Sequence, residues 1–131
     1  MIANTMKPTW KAMILWALFV HPFFESYFDF LQLLGSMTLN FYVSFSECFG
    51  LVVTESLSLG VPCLASYNSG IFDYDDYLKE MLIVKDYDNS EAIYKQAELV
   101  LANRHKISER GIEYIKELNK IAKGKIQNFI A

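Results

Sequence analysis

The sequence lacks the features that mark several common functional classes. It has only two cysteines in 131 residues, without C-x-x-C spacing and without a histidine beside them. This excludes a disulfide framework and argues against a structural zinc site. Internal repeats and low-complexity linkers are also missing. We therefore expect one domain over residues 1–131, with reduced thiols as in a cytoplasmic protein.

Basic residues are missing from about half of the chain. No lysine or arginine occurs between residues 12 and 78, a stretch with seven acids, whereas residues 79–131 hold ten bases and eight acids. The net charge is -3. Nucleic-acid-binding domains usually present a basic face, so we predict no nucleic-acid partner. The acidic residues 73–77 lack the glycine and distal glutamate of a calcium loop; we interpret them as a solvated loop and predict no metal site.

The sequence has no long hydrophobic run. The longest candidate, Ala12–Val20, has nine residues, whereas a membrane-spanning helix needs about 20. It ends at His21-Pro22 without the small residues of a signal cleavage site. We interpret it as a buried strand and predict no integral membrane segment. A membrane anchor formed by residues 12–24 is the alternative, which membrane fractionation would test.

Helical and strand patterns alternate along the rest of the chain. Apolar residues at helical spacing from Tyr27 to Met37 predict a helix of about twelve residues. The continuous apolar run 39–44 is typical of a parallel strand covered on both faces. Further segments are predicted as a helix at 50–59, strands at 62–66 and 81–84, a helix capped by Asn89 or Ser90, and a C-terminal helix at 105–131. This order predicts an α/β fold, a partial Rossmann-like domain with about four parallel strands and flanking helices.

The most informative segment is residues 41–70, where Glu47 and Glu55 lie eight positions apart around a Phe49-Gly50 turn. A strand, a turn and a helix beginning near Gly50 would aim a helix N-terminus at the crevice beside the sheet, where anions and hydroxyl groups bind. Glu55 lies in the apolar run 51–59, where an unpaired buried carboxylate is costly, and this favours a ligand. The alternative is that both acids face solvent or stabilise the helix N-terminus.

The region from about His21 to Asp73 resembles the C-terminal donor-binding domain of GT-B glycosyltransferases, in the family-4-like group (glycosyl transferases group 1). The resemblance rests on three motifs: Glu47-Cys-Phe-Gly-Leu-Val-Val-Thr-Glu55, Gly60-Val61-Pro62 and Ser69-Gly70-Ile71-Phe72-Asp73. In the third motif, Ser69 and Asp73 replace the usual glycine and glutamate. The resemblance implies transfer of a hexosyl unit from a nucleotide-diphosphate sugar to an acceptor, with retention and without cofactor or metal.

The resemblance also implies a binding role for individual residues, whereas it assigns no catalytic residue. The carboxylate of Glu47 and the backbone N–H groups of Phe49 and Gly50 would bind the sugar hydroxyls. The N–H groups of Leu51 and Val52, in the first helical turn, would reach the diphosphate. The carboxylate of Glu55 would bind the ribose, and Cys48 is a spacer inside the motif.

The resemblance covers about the last third of a typical family member. The acceptor domain and the family's basic Arg–Lys pair have no counterpart here, so we expect a fragment that is inactive without an acceptor-binding half. A separate acceptor-domain chain or self-association would complete it. The alternative is a non-catalytic nucleotide-sugar-binding or protein-interaction module derived from a truncated glycosyltransferase. The final helix often packs on the acceptor domain in this family; here its stripe of Ile121, Ile126 and Phe129 is expected to fray, to pack on its own domain or to pair with another copy.

Overall fold

The computed structural model describes residues 26–43, 50–67 and 69–130. The predicted strand Ala12–Val20 and residues 44–49 lie outside these ranges. The chain divides between Gln32 and Leu33, so residues 26–32 are described by themselves. There the Ser26 hydroxyl accepts the Asp29 N–H at 3.2 Å and donates to the Asp29 carboxylate at 2.9 Å. These bonds satisfy a backbone donor at the start of the first helix.

Helices and parallel strands alternate, as the sequence predicts. The elements are α1 (Tyr27–Ser36), β1 (Asn40–Tyr42), α2 (Leu51–Ser58), β2 (Cys63–Ser66), a 3-10 turn (Gly70–Phe72), α3 (Asp76–Leu82), β3 (Ile83–Val84), α4 (Ser90–Ala102) and α5 (Arg104–Ile130). The strands pair in parallel in the order β1-β2-β3. Phe41 lies opposite Leu64, and Ala65 lies opposite Ile83. The α/β class with a parallel sheet is confirmed, and the described part of the chain contains three of its strands.

The core lies around β2, whose four residues are all buried. Phe72 from the 3-10 turn stacks on Tyr114 of α5 with ring centroids 6.2 Å apart. The Tyr114 hydroxyl, which is buried, donates to the Ile71 carbonyl oxygen at 2.5 Å. An unpaired hydroxyl there would be costly, so this bond both satisfies the tyrosine and fixes α5 on the loop after β2.

The prediction that the first described strand is covered on both faces is wrong. Residues of β1 are only partly buried, and Phe41 is 44% exposed. Among the described residues, β1 pairs only with β2, at one end of the three-stranded sheet that they form. A continuous apolar run predicts a strand but does not distinguish a central strand from an edge strand.

The interpretation of residues 73–77 as a solvated loop is also wrong in part. Asp75 is 7% exposed and caps α3, with its carboxylate accepting the Leu78 N–H at 2.8 Å. Leu78, Met81 and Leu82 then repeat at helical spacing and are buried. The predicted strand at 81–84 is therefore shorter, since Met81 and Leu82 end the helix and only Ile83–Val84 pair as a strand.

A capping residue begins α4, and a close contact with α2 positions α5. Asn89 caps α4 by accepting the N–H groups of Glu91 and Ala92 at 3.0 and 3.2 Å, so the predicted cap is confirmed. On α5, Gly111 lies against Leu57 of α2, because an added Cβ would come within 2.9 Å of the Leu57 side chain. A glycine is therefore needed for the two helices to approach this closely.

Arg110 joins α5 to the beginning of α3. Its guanidinium donates to Asp75 at 2.6 Å and to the two carboxylate oxygens of Glu117 at 3.0 and 3.2 Å. The hydrogen bond with Glu117 first, and then the bond with Asp75, raise the pKa of Arg110 and outweigh its desolvation. The buried carboxylate of Asp75 is thus paired, as burial of a charge requires.

Candidate functional site

The candidate site is built on the turn at Gly50. This glycine has φ 78° and ψ 68°, the left-handed conformation that favours glycine. Its carbonyl oxygen accepts the N–H groups of Val53 at 3.0 Å and Thr54 at 3.3 Å. A Cβ here would lie 3.2 Å from Val53 Cγ2 and 3.5 Å from Ser69 Oγ. Conformation and space both require glycine at the start of α2.

The N-terminus of α2 lies at the carboxyl ends of two strands. Tyr42 ends β1, and its ring comes within 3.8 Å of a Cβ placed on Gly50, while Ser69 comes from the loop after β2. In open α/β sheets, ligands bind at this edge. The N–H groups of Leu51 and Val52 are in the first turn, where helix N–H groups have no acceptor within the helix. This end of α2 is therefore suited to an anion or to sugar hydroxyl groups.

The other end of α2 is held by a polar cluster in the core. Ser56 is fully buried; its hydroxyl donates to the Val61 carbonyl oxygen at 2.8 Å and accepts from the Asn40 side-chain amide at 2.8 Å. The Asn40 backbone N–H also donates to the Pro62 carbonyl at 2.9 Å. These bonds hold the C-terminal half of α2 against β1 and against the turn before β2, and so fix the position of the site helix.

Glu55 lies on α2 but is not part of the buried core. It is half-buried, whereas Val53 and Leu57 are at most 1% exposed. It lies one turn after Leu51, which is 69% exposed, and residues four apart share a face of a helix. The expectation of a buried carboxylate is therefore wrong, because the apolar run 51–59 also includes outward positions. Glu55 belongs to the accessible face that begins at the helix N-terminus.

The structure brings together only part of the predicted residue set. Gly50, Leu51, Val52 and Glu55 lie on the turn and first helical turns of α2, while Glu47, Cys48 and Phe49 lie outside the described residues and stay predictions. Two further residues border the turn and were not predicted, namely Tyr42 and Ser69. Ser69 belongs to the third motif of the resemblance, which therefore pointed to this loop without assigning a role to the residue. Tyr42 had only its position at the end of a strand as a signal, and that position does not distinguish it from other residues at strand ends.

The segment Asp73-Tyr74-Asp75 has D-x-D spacing, and both of its carboxylates have partners within the protein. Asp73 pairs with Lys79 at 3.0 Å, and Asp75 is used by the α3 cap and by Arg110. Within residues 26–43, 50–67 and 69–130, no group of three or more His, Cys, Asp or Glu side chains could hold a metal ion.

An open cavity of about 570 Å³ lies beside β3. It is lined by Tyr67, Asp76, Lys79, Glu80, Ile83 and Lys85. None of these residues belongs to the predicted donor set.

Cys63 is the first residue of β2 and is fully buried beside Ser56, at the end of α2 away from the Gly50 turn. Burial raises the pKa of its thiol to about 12, against a smaller lowering by a hydrogen bond with Ser56. Since the thiolate is the reactive form, Cys63 is a packing residue and not a nucleophile.

The comparison with protein families agrees with this geometry. A family model described as glycosyl transferases group 1 matches residues 7–118. The chain belongs to the group 1 glycosyltransferases. The match contains the Gly50 turn, α2 and the loop after β2. A search of curated proteins and a search of solved structures each found no match.

Membership in the group 1 glycosyltransferases supports glycosyl transfer as the general chemistry of this fold. In the part of this glycosyltransferase that the structure describes, no helix is both long and apolar enough to cross a membrane.

Proposed function

We propose that this chain binds a nucleotide-diphosphate sugar at the N-terminus of α2 and provides the donor site for transfer of a hexosyl unit, with retention at the anomeric carbon. The observation that carries the proposal is the Gly50 turn, which begins a helix at the carboxyl edge of a parallel sheet without any side chain on the turn residue. Family membership supplies the reaction class.

Each part of the donor has a matching group in this proposal. The N–H groups of Leu51 and Val52 contact the diphosphate, because the first turn of a helix offers free donors and a favourable dipole. Glu55 contacts the ribose hydroxyls from one turn further along the same accessible face. Glu47 and the N–H groups of Phe49 and Gly50 read the sugar, as the family motif implies.

A second candidate is a nucleotide-sugar-binding module that does not transfer the sugar. The observation that favours it is the lack of any lysine or arginine between residues 12 and 78. A departing diphosphate needs positive charge to stabilise it, and removing one stabilising donor from an active site typically costs about 100- to 1,000-fold in rate.

Calorimetry with uridine, guanosine and adenosine diphosphate sugars tests donor binding. Loss of a hydrogen bond to a charged acceptor costs about 1.5–3 kcal/mol, so Glu55→Ala should weaken binding about 10- to 100-fold. Glu109→Ala is the matched control, because Glu109 is an exposed glutamate on α5 and should leave binding unchanged. Absence of binding for all three donor classes, or equal binding by the Glu55 variant, would rule out the proposed site.

Transfer is measured separately, by release of the nucleoside diphosphate and by NMR of the anomeric proton of the product. Product formation with retention supports the transferase. Tight binding that depends on Glu55 without any product would instead identify the binding module.

A further inference from the structure

The cavity beside β3 has the size of a small-molecule site. Its volume is about 570 Å³, and pockets that bind small molecules typically have about 300–1,000 Å³. Its lining residues come from the end of β2, from α3 and from β3 with the residue that follows it. The groups assigned to the nucleotide-sugar donor are on other residues, so a ligand in this cavity would be a second ligand of the chain.

The lining of the cavity includes an aromatic ring that a second ring supports. Tyr67 directly follows β2, and Tyr87 comes from the segment after β3. The two rings are stacked, with centroids 5.4 Å apart and planes at 25°. Tyr67 is nevertheless 57% exposed. A ring that is already held by a stacking partner loses little conformational freedom when a ligand packs on it.

The charged side chains that line the cavity balance one another. Asp76 and Glu80 are negative, whereas Lys79 and Lys85 are positive. The Lys79 ammonium also lies 3.0 Å from the Asp73 carboxylate. The lining therefore has no excess of positive charge for a phosphate or carboxylate ligand, and a cationic ligand would meet two lysines.

These features together fit a neutral ring that carries several hydroxyl groups. Carboxylates accept hydrogen bonds and ammonium groups donate them, and a hydroxyl group can pair with either. The C–H groups on the face of a sugar ring pack on the negative face of an aromatic side chain. A purely apolar ligand would instead cover the charged groups without giving them partners.

We propose that the cavity beside β3 binds a neutral saccharide, with one sugar ring packed on Tyr67 and its hydroxyl groups bonded to Asp76, Glu80 and Lys85. The site holds the saccharide and forms no covalent bond with it. Because the cavity is open and offers one ring, we expect a dissociation constant on the order of 1 mM. This binding does not depend on the proposed donor site, because the two sites share no residue.

NMR titration of the isotope-labelled full chain tests the proposal, with maltotriose, cellotriose and mannotriose as probes. We expect at least one of them to bind, with the largest amide shifts at Tyr67 and at residues 79–85. Tyr67→Ala should weaken binding about 10-fold, whereas Tyr67→Trp should retain it. Tyr94→Ala is the matched control, because Tyr94 is 44% exposed on α4 and does not line the cavity.

The polar contacts are tested with Glu80→Ala, which should weaken binding about 10-fold. Glu109→Ala removes an exposed glutamate from α5 and should leave binding unchanged. Glu55→Ala should also leave it unchanged, so failure of the donor site and failure of this site are told apart. The spread of the amide signals shows that each variant is folded.

Three results would refute the proposal, namely no binding of any of the three trisaccharides, unchanged binding by Tyr67→Ala and Glu80→Ala, or shifts that lie away from the cavity. Uridine is titrated in parallel, because a nucleobase also stacks on an aromatic ring. Binding of uridine at Tyr67 without binding of the trisaccharides would identify a nucleoside site and would likewise refute the proposal.

Discussion

Replacing Gly50 with alanine tests the central feature of the candidate site. Two effects act against the alanine. The left-handed conformation costs a residue with a Cβ about 1–2 kcal/mol, and the new methyl group would lie 3.2 Å from the Cγ2 of Val53, which is fully buried and cannot move away freely. One effect acts in its favour, because alanine lowers the entropy of the unfolded chain, worth about 0.4–1 kcal/mol.

The two backbone effects leave about 0–1.6 kcal/mol. The close contact with Val53 adds to this, so the free energy of unfolding of Gly50→Ala is expected to be lower by about 1–2 kcal/mol. For a domain of this size this corresponds to a Tm lower by about 3–10 °C. Urea unfolding followed by circular dichroism measures the free energy, and a thermal scan measures the Tm.

Gly35→Ala is the matched control, because the chemical change is the same and the surroundings differ. Gly35 lies inside α1 without a positive φ, and its added Cβ would meet Leu59 at an ordinary 3.5 Å. Alanine should stabilise there, by up to about 1 kcal/mol. If Gly50→Ala instead proves as stable as the natural chain, or is stabilised as Gly35→Ala is, the left-handed turn before α2 does not exist as described.

Three further changes probe the fold around the site. Asp75→Ala removes a buried cap and a partner of an arginine, and should lower the free energy of urea unfolding by about 2–3 kcal/mol; Asp73→Ala, which breaks only an exposed ion pair, should cost under about 1 kcal/mol. Tyr114→Phe leaves the Ile71 carbonyl without its donor and should cost about 1–2 kcal/mol in the same assay; a neutral effect would contradict the buried bond. Because the pKa of Cys63 rises from its ordinary 9.0 to about 12 on folding, its contribution to stability is present below pH 9 and is lost as the pH rises towards 12. Cys63 should also resist iodoacetamide at pH 8 until urea is added, as peptide mapping would show.

The fold class was predictable because its signals are local. Gly60-Val61-Pro62 stops a helix, Asn89 caps one, and the apolar runs between them predict strands. Burial was less predictable, since it depends on neighbours that a local pattern does not contain. Phe41 is 44% exposed although it lies in a continuous apolar run, and Asp75 is buried because Arg110, far along the chain, pairs with it.

The candidate site was also predictable only in part. The position of Gly50 before α2 follows from the motif, and the structure adds the reason that only glycine fits there. The half-buried state of Glu55 could not be derived, because an apolar run of nine residues makes inward and outward positions of a short helix look alike. Ser56 and Asn40 were missed altogether, since a hydrogen bond between a buried serine and a partly buried asparagine has no periodic signature.

The contact between Gly111 and Leu57 has a consequence for how the domain is made. The site helix is synthesised early, but the helix that covers its buried face is the last element of the described chain. During synthesis the chain grows from its N-terminus at about 5–20 residues per second, so α2 and β2 remain uncovered until the beginning of α5 has left the ribosome. The candidate site helix is therefore made before the helix that packs against it, and its buried face is covered only once α5 packs on Leu57.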